Sequence, residues 1–102
     1  MMAAGDYERP LDDFAPKFAE LTEGLLFGDI WKRPELPPRD RSLVTVAVLS
    51  ALYRPEQLET HIVKALSNGV TRDELVELMT HVAFYAGWPC GSSSLRILRA
   101  VQ

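Results

Sequence analysis

The run SLVTVAVLSALY, residues 42–53, leaves few folds open to this chain. Pro37-Pro38 marks the start of a helix, where a proline loses only an N–H that would have no partner anyway. Beyond it Leu43, Val44, Val46, Ala47, Val48, Leu49, Ala51 and Leu52 fall on nearly every side of the helix. A helix apolar all round has to be buried all round. A chain of 102 residues buries roughly 60 to 70% of its unfolded surface on folding, enough for one modest core. The remaining elements are too few to enclose such a helix alone, so a second subunit is expected to cover part of it and the protein is expected to be a homo-oligomer.

Downstream, RPEQLETHIVKALSNGVTRDELVELMTHVAFYAG, residues 54–87, reads as a helical hairpin. Its first helix opens at Pro55 and closes at Asn68-Gly69; its second starts at Arg72 behind a capping box of Thr71 and Glu74 and runs to about Ala86. Leu58, Ile62, Ala65 and Leu66 make the apolar face of the first helix, and His61 falls on that face. An imidazole among apolar side chains needs a partner for its nitrogens, and burial favours its neutral form. His61 is therefore either a pinned core residue or a site. On the second helix Leu75, Leu78, Met79, Val82, Ala83 and Ala86 form the core stripe. Glu77, His81 and Tyr85 repeat four residues apart beside it, as chemistry or as a solvated ladder.

Residues 1–10 read as a loose arm, and residues 11–102 as a single domain. A helix capped by Asp12 or Asp13 follows the arm, with Pro16 in its first turn, Phe14, Phe18, Leu21 and Leu25 on one face, and Gly24 and Gly28 weakening its end. The segment GDIWKRPELPPRD is an ordered loop anchored by Trp31. After the break at Gly87-Trp88-Pro89, a last helix carries Leu95, Leu98 and Val101, with Cys90 and Ser92 to Ser94 in its first turns. No strand pattern competes, and the fold class is all-α: a compact bundle of about five to six helices.

Net charge is −3, with no basic run, which removes the electrostatic footprint of nucleic-acid binding. MMAAGDYERPLDDF lacks the basic start and apolar core of a secretion signal, and no apolar run reaches membrane-spanning length. The expected location is the cytoplasm, without a membrane partner. One cysteine cannot form an internal disulfide, and no Cys/His spacing suggests a metal site.

Three ordered blocks, FGDIWKRPELPPRDRSLVTVA, LETHIVKALSNGVTRDELVE and FYAGWP, resemble the carboxymuconolactone decarboxylase family, within the alkylhydroperoxidase-like superfamily. The likeness covers Phe27 to about Arg99. It implies a helical subunit assembled as a ring, a hexamer or trimer, with sites near subunit contacts and no cofactor. It also implies a role in aromatic catabolism: loss of carbon dioxide from a small carboxylated butenolide. The negative charge left behind spreads onto the lactone oxygen before a carbon is reprotonated, so the site needs an oxyanion partner, a proton donor and a cation for the substrate's other carboxylate. His61 fits the first two roles as a catalytic residue. Arg41, in the first turn of the apolar helix, is the candidate cation, against an ion pair with Asp40 or Glu35. His81, Tyr85 and Trp31 are further candidate substrate contacts; Trp31 and Trp88 read as loop anchors, either of which could instead wall a pocket.

A related branch of that superfamily carries a Cys-x-x-Cys pair upstream of the histidine matching His61; here those places are Arg54 and Gln57. Cys90 stands alone at a helix start, either as a thiol of lowered pKa that touches substrate or as a small buried residue where the family carries alanine. The alternatives to a decarboxylase are thus an alkylhydroperoxidase-like antioxidant using Cys90 with an external thiol, and a non-catalytic oligomer that binds a small ligand.

Overall fold

A computed structural model describes residues 10–101, and the chain divides into an N-terminal unit ending at Glu35 and a second unit from Leu36 onward. The arm read at residues 1–10 lies, apart from Pro10, outside the described residues. All regular structure among the described residues is helical, with five α-helices and no strand.

In the N-terminal unit, α1 is short, Pro16–Leu21, with Pro16 at its first position. Neither Asp12 nor Asp13 caps it; Ala15 takes the cap position without a side-chain bond, and the turn before it closes through Ala15 N donating to Leu11 O at 2.6 Å. The chain then widens into a π-helical segment, Thr22–Phe27. The expected single helix through Leu25 is therefore two segments of different winding. Thr22 sits at the change, its Oγ1 donating to Phe18 O at 2.8 Å; a hydroxyl bonded back one turn competes with the helical ladder and bends it. Within the expected loop, Ile30–Lys32 makes one 3₁₀ turn, and the Trp31 ring lies 5.9 Å from that of Phe27.

The second unit is a four-helix core: α2 (Pro38–Ala51), α3 (Pro55–Ser67), α4 (Arg72–Ala86) and α5 (Trp88–Ala100). The expected punctuation holds: Pro55 opens α3, and Thr71 and Glu74 exchange both capping-box bonds at the head of α4. Glu74 also takes an ion pair from Arg39, so one carboxylate ties the first turn of α2 to that of α4. The Thr71 backbone N–H, then Arg39, hold the Glu74 carboxyl below its usual range.

Helices α2 and α3 are joined through Leu52–Arg54, and at their other ends Asn68 Nδ2 donates to Ser42 Oγ at 3.0 Å. They are therefore an antiparallel pair in fixed register. Val46, Leu58, Ile62, Ala65, Val70, Leu75, Met79 and Leu98 form the buried core.

In the single chain α2 is not covered on every side. Its buried line is Ser42, Val46 and Ser50, while Val44, Val48 and Leu52 remain about half exposed. Small side chains win the inner positions because they let neighbouring helices approach closely. Helix α5 does the same with Gly91 and Ser94, where a Cβ on Gly91 would stand 2.5 Å from Ala83 Cβ and 2.9 Å from Met79 O.

Candidate active site

His61 projects from the middle of α3 beside the buried Leu58 and Ile62, and is half-buried. Burial first, and the Lys64 charge one turn on, lower its pKa below the ordinary 6.5. At neutral pH the ring is therefore the uncharged imidazole, with one N–H to donate.

The Ser42–Asn68 bond sets His61 level with about Leu49 on α2. Arg41, half-buried, lies eight residues before that level on the same helix, an axial offset of about 12 Å at 1.5 Å rise per residue. Of the carboxylates weighed as ion-pair partners, Asp40 stands 3.5 Å from Arg39 and Glu35 3.8 Å from Arg33. Thr45 Oγ1 donates to the Arg41 carbonyl at 2.8 Å.

Cys90 approaches the His61 end of α2, its Sγ donating to Ala51 O at 3.5 Å. It is half-buried in the first turn of α5. Between Leu49 and Ala51 sits Ser50, fully buried, whose Oγ has no hydrogen-bond partner among the described residues. Sequence reasoning passed over it because a serine inside an apolar run carries no local signal.

His81 and Tyr85 are brought together as a stacked pair, ring centroids 4.8 Å apart, on an exposed face of α4. Trp31 is half-buried in the N-terminal unit against Phe27. Trp88 is not an anchor: it is 67% exposed at the first position of α5, edge-on to Phe84 at 5.7 Å. It walls an open groove of about 510 Å³ between α4 and α5, with Thr80, Ala83, Leu95, Arg96 and Arg99 around it. None of the six residues singled out for chemistry lines this groove. Among the described residues no three His, Cys, Asp or Glu side chains gather as a metal-ligand set, and no helix is long and apolar enough to cross a membrane.

Residues 16–100 match the carboxymuconolactone decarboxylase family along their whole length, which takes in all five helices and every candidate residue above. The chain belongs to the carboxymuconolactone decarboxylase family. Among its relatives, a 4-carboxymuconolactone decarboxylase of Acinetobacter baylyi is 42% identical over 91 residues, 89% of this chain and 68% of that protein. A nitrosuccinic acid decarboxylase of Metarhizium robertsii is 36% identical over 70 residues, 69% of this chain, which spans about half (49%) of the fungal protein's length. The family match takes in the three blocks read from Phe27 to about Arg99 and extends beyond them to Pro16, and the fold is all-helical as expected.

Proposed function

We propose that the protein is a cofactor-free decarboxylase, a carboxy-lyase acting on a small carboxylated ring of the 4-carboxymuconolactone kind. The reading is carried by the 42% identity over 89% of the chain to a decarboxylase of that substrate. Both relatives named above are decarboxylases, so the thiol-peroxidase alternative through Cys90 is not favoured.

In this reading the bond from the ring to the departing carboxylate breaks, carbon dioxide leaves, and the electron pair moves through the ring to the lactone carbonyl oxygen. His61, neutral at working pH, donates its N–H to that oxyanion as charge develops, where a fixed donor in a partly dry site is most effective. A proton taken up from solvent then adds to carbon, which balances the loss of carbon dioxide from the carboxylate. Arg41 takes the substrate's remaining carboxylate in its planar fork. An elongated substrate, or an Arg41 side chain extended along α2, has to span the distance between the two levels. His81, Tyr85, Trp31 and Cys90 are secondary candidates for substrate contact.

The working form in this proposal is a cytoplasmic homo-oligomeric ring, a hexamer or trimer, serving aromatic catabolism. The exposed Val44, Val48 and Leu52 on α2 support an assembly that covers them. The test is carbon dioxide release from 4-carboxymuconolactone by the purified protein, expected at a rate that His61→Gln lowers by roughly two to four orders of magnitude. A folded protein that leaves this lactone untouched removes the substrate assignment.

A further inference from the structure

The groove between α4 and α5 carries two cations that no other part of the described structure uses. Arg96 and Arg99 stand one turn apart on α5, both exposed, and neither makes an ion pair or hydrogen bond with a described residue. A basic side chain in a helix's last turn ordinarily serves the terminal carbonyls. Here Arg72 has that task, donating to Leu98 O at 3.2 Å and to Val101 O. The two guanidiniums on α5 are left over.

Their surroundings favour an anion with an apolar body. The groove lining has no Asp or Glu, and α5 has no acidic residue, in a chain of formal net charge −3. Two positive charges thus stand together in a lining without an acid, on a protein of net negative charge. Ala83 and Leu95 supply an apolar floor, and the exposed Trp88 indole, touching Phe84 only edge-on, supplies a flat wall. A volume of about 510 Å³ falls in the range of small-molecule sites.

We propose that this groove binds a small molecule bearing a carboxylate on a flat apolar body, with Arg96 and Arg99 taking the carboxylate and Trp88 packing on the ring. Paired arginines match carboxylate geometry bidentately, and an indole face suits an aromatic ring. The site is separate from the one assigned to decarboxylation, since neither His61 nor Arg41 lines it. The molecule bound here is a second ligand, distinct from the substrate at His61.

The experiment is a calorimetric titration of the native assembly with benzoate, using benzamide as the uncharged isostere, alongside tryptophan fluorescence. Benzoate is expected to saturate one site per chain, with benzamide at least tenfold weaker. Arg96→Gln with Arg99→Gln, both exposed, is expected to weaken benzoate at least tenfold without changing the helical circular dichroism. Trp88→Phe is expected to remove the fluorescence response, and Trp31→Phe to retain it. His61→Gln is expected to leave benzoate affinity unchanged, so that this result is independent of whether the decarboxylase reading stands. Absence of saturable binding, indifference to loss of both arginines, or loss in His61→Gln instead, each overturns the proposal. Protection of Trp88 from iodide in the unliganded assembly also overturns it, because the groove would then be filled by a second copy of the chain.

Discussion

Tyr53 occupies the position in the C-terminal cap of α2 that Gly69 occupies in the cap of α3. Both have positive φ, 56° and 96°. In each case the next N–H bonds back five residues, Arg54 N to Leu49 O at 3.0 Å and Val70 N to Ala65 O at 2.9 Å, with the inner bond of the same motif in place. Glycine takes this conformation without a Cβ penalty, whereas tyrosine does not.

The two caps should respond oppositely to exchange. Tyr53→Gly, at a 58% exposed residue, is expected to raise unfolding stability by about 1 kcal/mol, as left-handed strain is relieved. Gly69→Ala is expected to lower it by about 1 kcal/mol. Urea midpoints at unchanged slope measure both; a Tyr53→Gly protein less stable than the parent would mean that the ring's own packing outweighs the strain.

Close contact between α4 and α5 depends on Gly91. A methyl group there meets Ala83 Cβ and the Met79 carbonyl inside contact distance, and the carbonyl belongs to a helix that cannot move alone. Gly91→Ala is expected to cost about 1 to 3 kcal/mol by overpacking, despite alanine's higher helix propensity. A thermal melt at or above that of the parent would show that the two helices separate freely.

Local signals in the sequence carried the fold further than tertiary ones. Pro55, the Asn68-Gly69 stop and the Thr71–Glu74 box each act within one turn of chain, and each stands where the residues indicate. The inner line of α2 was not legible, because Ser42 and Ser50 are buried for what lies opposite them. Ser42 is matched by Asn68, 26 residues away, a pairing that periodicity cannot report. The change of winding at Thr22 was equally hidden, since Gly24 and Gly28 advertise weakness without saying which alternative the backbone takes. For the candidate site, the placing of His61 beside Leu58 and Ile62 was legible from the spacing. Arg96 and Arg99 were not, because two arginines near a helix end read as ordinary terminal charges until Arg72 is seen on the carbonyls.

The lowered His61 pKa has a pH signature whose sign is fixed. The unfolded ring binds its proton near 6.5 and the folded ring only at lower pH. The stability tied to this shift is therefore present above 6.5 and is lost as pH falls through the folded value. Lys64→Met removes the second cause and leaves burial, so the His61 pKa should move up toward 6.5 without reaching it. NMR titration of the ring reads this directly. In the decarboxylase reading, the acid limb of kcat/KM should move up with it, because the neutral ring is the working form; an acid limb that stays in place while the His61 titration moves separates the histidine from the reaction.

Mutation of His61 itself divides packing from chemistry. If the ring is held for structure, His61→Gln leaves a buried partner without its bond and costs about 1 to 3 kcal/mol of stability. If the ring stabilises the oxyanion, glutamine keeps much of the volume but not the aligned N–H. Turnover should then fall by roughly two to four orders of magnitude with melting nearly unmoved. His61 is half-buried, with its neighbours Leu58 and Ile62 already filling the core, so the core does not depend on the ring for its packing. The second outcome is expected. Arg41→Lys, which keeps the charge and loses the fork, should raise KM more than it lowers kcat. A His61→Gln protein that melts several degrees early and still turns over at the parent rate would place the histidine among the packing residues and move the search for the oxyanion donor elsewhere in the assembly.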